Sequence, residues 1–196
     1  MRRALIMFLA VMLLAGSGAV MGQGGKPKSP AGKAATQVGD SWIEISYGRP
    51  ILRGRQGVFG EGESYGQALL KGAPIWRAGA NVSTRLKTDV DLKFGDTVVA
   101  AGEYSLFMDL KAGGWTFIVS NHNAQLEFDR DNKSAIWGAY GYTPEKDVVR
   151  MPMTLETTEF SIDQLTIGFA GMTDEGGGIY LIWDNQLASV PFTIEN

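Results

Sequence analysis

The sequence predicts a mainly β protein, a single antiparallel β-sandwich of jelly-roll-like form around one core. Short segments of alternating apolar and polar residues recur about every 8–12 residues and are separated by turns rich in glycine, of which the chain has 26. No segment keeps an apolar period of about 3.6 residues over the length of a helix, and 66–72 has room for only one or two helical turns. With 196 residues, the chain can fill one core but not two large domains.

Roughly nine or ten strands are expected. Ile43, Ile45 and Tyr47 alternate with their neighbours and mark the first strand, and Gly113-Gly114 predicts a tight hairpin turn. The expected strands are 43–47, 84–94, 97–100, 103–110, 115–120, 148–154, 159–170, 179–183 and 189–194. The segment 49–74, rich in Gly and Arg, is expected to be a long loop, and such loops on a β scaffold often carry function.

Residues 1–22 have the organisation of a secretory signal peptide. Arg2 and Arg3 precede an apolar run at 4–16, and small residues such as Ala19 follow it. The run has about 13 residues, whereas a transmembrane helix needs about 20. Cleavage leaves 16 basic and 21 acidic residues, a net charge of −5. We therefore expect export to the periplasm or the exterior. We also expect a flexible linker at 23–36, composed almost only of Gly, Pro, Lys, Ser and Ala, and one domain at 37–196.

The composition excludes several classes of function. The chain has no Cys, so disulfides, thiol nucleophiles and thiolate metal sites are impossible. His122 is the single histidine, and its place in the chain predicts an exposed turn residue; neither a metal nor a cofactor is expected. An acidic chain without a block of basic residues is a poor candidate for binding nucleic acid. No segment after the signal is long enough to span a bilayer as a helix.

Arginine and aromatic residues occur together in three segments far apart in the chain, 47–60, 76–84 and 137–150. Guanidinium groups beside aromatic rings suit planar acids, phosphates or sugars. If the three segments converge, they form a binding site for an anionic or sugar-like small molecule. The candidate ligand-binding residues are Arg49, Arg55, Trp76, Arg77, Asn81, Trp137, Tyr140, Asp147 and Arg150.

Two alternatives remain for this cluster. The first is a structural network, in which Arg77 and Arg150 hold loop carbonyls and Asp147 beneath the sheets of a protein whose partner is another envelope protein. The second is a carboxylate-based hydrolase or lyase acting on an envelope-derived substrate. In that enzyme Asp147 or Glu103 would be the general acid or base, beside an arginine clamp. The sequence favours a protein that is not an enzyme, since it does not show that any two carboxylates converge.

Several motifs follow one another in a characteristic order. They are YGRP at 47–50, GRQGVFG at 54–60, WRAGANVST at 76–84, AGEYSLF at 101–107, WTFIVSN at 115–121, WGAY at 137–140 and KDVVR at 146–150. This order resembles an uncharacterised family of secreted bacterial proteins, the domain of unknown function 2911, over roughly 38–194. The resemblance implies an exported, mostly β domain with no established activity. It also implies an acid after the Asn of the GAN motif, where this chain has Val82, so a catalytic role for that acid would be lost here.

Overall fold

The structure, a computed structural model, describes residues 29–195. Two antiparallel sheets form an open sandwich, which confirms the predicted fold class. The expected signal peptide at 1–22 and the first part of the expected linker lie outside the described residues. Within the described part of the chain, no helix combines the length and the apolar character needed to cross a bilayer.

Most strands lie close to their predicted places. In chain order they are β1 Ala31–Val38, β2 Ser41–Gly48, β3 Thr84–Thr88, β4 Asp91–Phe94, β5 Thr97–Val99, β6 Gly102–Lys111, β7 Gly114–Ser120, β8 Asp147–Pro152, β9 Thr154–Thr173 and β10 Gly176–Glu195. A short helix, α1 at Gln67–Leu70, falls inside the segment predicted to turn, and 3₁₀ turns lie at Gly62–Ser64 and Pro144–Lys146.

The strand order refines the prediction. One sheet has six strands in the order β1-β2-β3-β6-β7-β8, and the other has four in the order β5-β4-β10-β9. Most neighbours in each sheet are consecutive in the chain, so hairpins dominate in place of the two Greek keys of a jelly roll. Both sheets bury one face, and the core lies between them.

Strand β1 corrects the expected linker. Residues 31–36, assigned to a flexible tether by composition, pair with β2 in continuous register from Ala31↔Gly48 to Val38↔Ser41. Ala34 and Val38 also pack against the core, and Lys33 forms an ion pair with Glu44 on β2. An edge strand needs only one neighbour for its hydrogen bonds, so a segment of Gly, Ala, Lys and Thr forms it without a strong apolar pattern.

Two predicted strand boundaries are wrong. The expected strand 84–94 is two strands in different sheets, because the chain turns between Thr88 and Asp91. In this turn, the carboxylate of Asp89 accepts the Trp42 N–H at 3.0 Å. The two strands expected at 179–183 and 189–194 are parts of the continuous β10, whose register with β9 shifts on both sides of Asp184.

The two sheets share an aromatic core. Phe59, contributed by the long loop, lies against Trp76, Trp115 and Trp183 with ring centroids 6.1, 4.9 and 5.9 Å away. Trp115 belongs to β7 in the six-stranded sheet and Trp183 to β10 in the four-stranded sheet. Large buried rings supply much of the hydrophobic stabilisation of a small domain, so the long loop is an integral part of this core.

Candidate functional site

A cleft of about 700 Å³ lies where the loops around 50–55, 76–81 and 137–140 meet the end of α1. This volume falls within the range of small-molecule sites, about 300–1,000 Å³. The cleft brings together six of the nine candidates, namely Arg55, Trp76, Arg77, Asn81, Trp137 and Tyr140. The other lining residues are Ser29, Pro50, Ile51, Arg53, Leu69, Lys71, Gly79, Ala80 and Trp183.

The loop that carries Arg77 leaves the sheet next to Trp76. Trp76 and Met108 of β6 exchange backbone hydrogen bonds of 3.1 and 2.9 Å, after which the chain departs from the sheet and returns at Thr84. The loop packs directly on the end of β2, where the Ala80 N–H donates to the Gly48 carbonyl at 3.3 Å. A Cβ at Gly48 would overlap the Ala80 carbonyl, so glycine is required for this approach.

Arg77 is the central cation of the cleft and is 8% exposed. Its Nη1 donates to the Asn81 carbonyl at 2.8 Å, and its Cζ lies 5.2 Å from the centroid of the Tyr140 ring. No carboxylate among residues 29–195 forms an ion pair with it. A guanidinium this well buried is normally paired with an acid, so Arg77 retains a strong capacity to bind one.

The charge of the cleft opposes that of the whole chain. Among residues 29–195, four basic side chains line it, Arg53, Arg55, Lys71 and Arg77, and no Asp or Glu does. Arg55 is folded onto the main chain, with Nε 3.0 Å from the Leu52 carbonyl and Nη2 2.9 Å from the Ile51 carbonyl. The full chain carries a formal charge of −3, so this cationic concentration is local. Such a cleft attracts anions by focusing the positive potential.

Strained backbone is concentrated around the same cleft. Within residues 29–195, the non-glycine residues with φ between 51° and 66° are Arg53, Lys71, Ala78, Asn81 and Asp184. Three of them line the cleft, and each of the other two follows a lining residue in the chain. A non-glycine residue in this region carries about 1–3 kcal/mol of strain, and such residues gather at ligand sites and active sites.

The floor of the cleft is aromatic. The rings of Trp76 and Trp183 lie nearly parallel, with an interplanar angle of 12° and centroids 6.4 Å apart. The Trp183 Nε1 donates to the Asp163 carbonyl at 3.3 Å, which fixes the indole on β9. Elsewhere in the lining, the Tyr140 hydroxyl donates to the Lys71 carbonyl at 2.8 Å and so joins the 137–140 loop to the end of α1.

Arg49 lies outside the cleft and has a structural role. Its Nε donates to the Leu165 carbonyl of β9 at 3.1 Å, and its Nη2 to the Thr166 hydroxyl at 3.2 Å. The neighbouring Tyr47 hydroxyl donates to the Ile167 carbonyl at 3.2 Å and accepts the Ile167 N–H at 2.9 Å. These contacts connect β2 of one sheet to β9 of the other. The YGRP motif therefore forms an inter-sheet clasp, defined here as Tyr47 and Arg49 with their partners on β9.

Asp147 and Arg150 form a separate cluster with Tyr142 and Asp109. The Tyr142 hydroxyl and the Arg150 Nη1 donate to Asp147 Oδ2 at 2.6 and 2.9 Å, and Arg150 Nη2 donates to Asp109 at 3.2 Å. Burial raises the pKa of Tyr142 far above its usual value, and the hydrogen bond to Asp147 acts in the same direction. Burial opposes the charge of Arg150, but its hydrogen bond to Asp147 and the surrounding anions raise its pKa overall.

This second cluster fits the structural alternative for these two residues. The Asp147 side chain is 5% exposed, and Tyr142 and Arg150 hold its Oδ2, whereas its buried Oδ1 has no hydrogen-bond partner among residues 29–195. Arg77 is not part of it, so the expected contact between Arg77 and Asp147 does not form.

His122 corrects another expectation. It is 5% exposed, not a surface turn residue. Its Nε2 accepts the Thr143 N–H at 2.9 Å, and its ring packs 6.3 Å from that of Phe107. The hydroxyl of Ser105 donates to the His122 carbonyl at 2.7 Å, not to its ring. The smaller cavity of about 260 Å³ beside it, lined also by Glu103, therefore lacks a Ser–His pair.

Two cleft residues, Lys71 and Trp183, have no signal in the sequence that points to the site. Lys71 is the αL residue that ends α1, with φ 54°, and Gly72 follows it. The only sequence clue is the helical turn between Gly66 and Gly72, which indicates a tight chain reversal but not its position. Trp183 reads as an ordinary buried strand residue, and only the packing of the two sheets brings it to the cleft.

Comparison with known proteins identifies a family. The model of a family described as Protein of unknown function (DUF2911) matches residues 29–192, a span that contains every residue lining the cleft. Neither the curated proteins nor the solved structures contain a match to the chain. No group of three or more His, Cys, Asp or Glu side chains positioned to hold a metal ion occurs within residues 29–195.

Proposed function

We propose that this chain, which belongs to the DUF2911 family, is an exported binding module whose cleft holds a small organic anion. The observation that carries the proposal is the state of Arg77. It is buried, it is not paired with any carboxylate of residues 29–195, and it lines a cleft to which these residues contribute bases but no acids. The acid of the ligand would complete the ion pair that the protein itself does not supply. The signal-like segment at 1–22 supports a site of action outside the cytoplasm.

Electrostatics favours an anion over a neutral sugar. A buried cation without an acid is costly, and a carboxylate or phosphate that accepts two guanidinium N–H groups removes that cost. Apolar side chains of the lining that are less buried, Ile51, Leu69 and Trp137, add apolar area for the carbon skeleton of the ligand. Exposed Arg53, Arg55 and Lys71 at the cleft make binding sensitive to ionic strength.

The carboxylate-based hydrolase or lyase receives less support. Asp147 belongs to the cluster with Arg150, and Glu103 pairs with Arg85 at 2.8 Å beside the smaller cavity. Neither residue lines the cleft of Arg77. General acid–base catalysis requires a group within hydrogen-bond reach of the substrate, so these carboxylates cannot serve a ligand bound there.

The test is a thermal-shift and calorimetric screen with acetate, benzoate, inorganic phosphate, a hexose phosphate and the neutral hexose. A ligand at a hundred times its Kd should raise Tm by about 5–10 °C in a domain of this size. Arg77→Gln should abolish the shift, and Arg77→Lys should weaken it, because a lysine cannot reproduce the bidentate contact.

Arg49→Gln is the matched control, since it removes an arginine that lies in the clasp and not in the cleft. Its unliganded Tm should fall while its ligand shift persists. A flat screen, or an equal shift in Arg77→Gln and the wild type, would refute the proposed anion site.

A further inference from the structure

We infer that the ligand of the cleft is an amphiphile, with an acidic head beside Arg77 and an apolar tail over an adjoining apolar rim. The inference rests on the proposed function and specifies the class of ligand. The apolar rim is defined as Phe128, Trp137 and Tyr140 together with Leu126, the other exposed apolar residue of the loop that carries Phe128. Three of these side chains are exposed, and Trp137 and Tyr140 also line the cleft.

The loop 125–136, which carries Leu126 and Phe128, is held together from inside by Gln125. This buried side chain donates from Nε2 to the carbonyls of Asn132 at 3.0 Å and Ala135 at 2.9 Å. Its Oε1 accepts the Asp129 N–H at 2.9 Å, and the backbone N–H of Gln125 donates to the Ile136 carbonyl at 2.9 Å. The polar groups of Gln125 thus occupy the interior of the loop and hold it through hydrogen bonds. The exposure of its apolar side chains is therefore part of a defined conformation.

The apolar rim continues the surface of the cleft. Phe128 and Leu126 are 67% and 62% exposed, more than any other large apolar side chain of the described residues. The Phe128 ring packs against Trp137 with centroids 5.7 Å apart and an angle of 66°. Trp137 and Tyr140 line the cleft, and Tyr140 carries the Arg77 guanidinium over its ring. One surface therefore changes from cationic at Arg77 to apolar at Phe128.

This gradient complements a molecule that is anionic at one end and apolar at the other. Isolated exposed apolar residues are common, whereas a contiguous apolar surface next to a cleft marks a binding site. The head would pair with the buried guanidinium, and the tail would remove its own surface and that of the apolar rim from water.

The charges of the loop favour a single amphiphile over a bilayer. Three acids, Glu127, Asp129 and Asp131, accompany two bases, Arg130 and Lys133, so the loop carries a net negative charge. Segments that dock on anionic bilayers carry an excess of Lys and Arg. The occupant that fits the apolar rim is one amphiphile molecule bound from solution.

The test measures the affinity of the purified protein for unbranched carboxylates from acetate to decanoate, each below its micelle concentration, by calorimetry. Affinity should rise by about two- to fourfold per methylene, the upper figure corresponding to full burial. Replacing both loop side chains, Leu126→Ser with Phe128→Ser, should reduce this gain to below about 1.5-fold per methylene. Octyl glucoside, a neutral amphiphile, should bind at least about tenfold more weakly than octanoate.

Phe160→Ser is the matched control, since it removes an exposed phenylalanine, 59% accessible, that does not line the cleft. It should keep the full dependence on chain length. Binding that needs Arg77 but does not strengthen with chain length, or a dependence on chain length that survives the double serine variant, would overturn the inference and leave the anion site intact. Absence of any Arg77-dependent binding would overturn the proposed function as well. Phe128-dependent binding to phosphatidylglycerol vesicles without binding of monomeric decanoate would also overturn the inference, in favour of a bilayer.

Discussion

The guanidinium of Arg77 occupies the space that a side chain at position 138 would need. Gly138 has φ 64°, and a Cβ built on it would overlap Arg77 Nη1 and Cζ. The glycine of the WGAY motif thus serves two purposes: it adopts a left-handed backbone conformation, and it leaves room for the cation of the cleft.

Gly138→Ala should therefore affect both stability and binding. The methyl group should displace the guanidinium from the Tyr140 ring and weaken anion binding by at least about tenfold, and the left-handed backbone should lower stability by about 1–3 kcal/mol. Calorimetry with the best anion of the screen and chemical denaturation measure the two effects.

Gly141→Ala separates the effect on stability from the effect on anion binding. Gly141 has φ 85°, but a Cβ there would meet only Ile136 Cγ2 at an ordinary 3.5 Å. We expect a similar loss of stability with unchanged anion affinity. Equal affinity losses in the two variants would show that the space at Gly138 is not what positions Arg77.

The clasp predicts a measurable connection between the two sheets. Tyr47→Phe removes the partner of both the N–H and the carbonyl of Ile167, so we expect a loss of about 1–3 kcal/mol of unfolding free energy. Hydrogen exchange at the Ile167 amide should accelerate. Tyr180→Phe is the control, because this hydroxyl makes no hydrogen bond within residues 29–195, and its stability should change by less than about 0.5 kcal/mol.

The second cluster predicts unequal roles for two cations beside Asp109. Arg150→Ala leaves the buried carboxylate of Asp147 without its cation and should cost about 1–3 kcal/mol. Lys111→Ala should cost less than about 0.5 kcal/mol, because Lys111 is 75% exposed and its Nζ lies 3.8 Å from Asp109. Adding Asp147→Asn to Arg150→Ala should restore part of the loss. Denaturant curves in which the double variant is no more stable than Arg150→Ala would contradict the assigned pairing.

Tyr142 predicts a pH dependence on the alkaline side. Burial first, and then the hydrogen bond to Asp147, raise its pKa above the ordinary value of 10.0, so the folded state holds the phenolic proton more tightly than the unfolded chain. Its contribution to stability is complete below pH 10 and is lost as the pH rises above that value. In Tyr142→Phe, the fall of the unfolding free energy above pH 10 should be shallower by up to one proton per molecule. Parallel curves for the variant and the wild type would exclude Tyr142 as the source.

The sequence was sufficient to predict the fold class and most strand positions, because alternating apolar residues such as Ile43 and Ile45 report burial directly. The sequence was insufficient to predict β1. This strand is held by its hydrogen bonds to β2, and its own residues do not show an alternating apolar pattern. The sequence also predicted β3 and β4 as one strand. The turn at Asp89 moves the chain to the other sheet, but apolar and polar residues continue to alternate across it.

The sequence predicted only part of the candidate site. Arginine beside an aromatic residue indicates a polar contact, but not whether its partner is a ligand or the protein. Arg49 donates to backbone carbonyls of β9 and Arg150 to carboxylates, whereas Arg77 is left without an acid among residues 29–195. Only the folded arrangement distinguishes these three arginines. For the same reason, Lys71 and Trp183 enter the site without any local signal.

Trp76 and Trp183 belong both to the interior and to the cleft, and this sets limits on how the protein can evolve. They are 1% and 2% exposed, so a mutation that reshapes the cleft floor must also repack the centre of the sandwich. The exposed side chains of Arg53, Lys71 and Phe128 carry no such constraint. Divergent relatives should therefore acquire new ligand preferences through Arg53, Lys71 and Phe128, while the two tryptophans remain fixed.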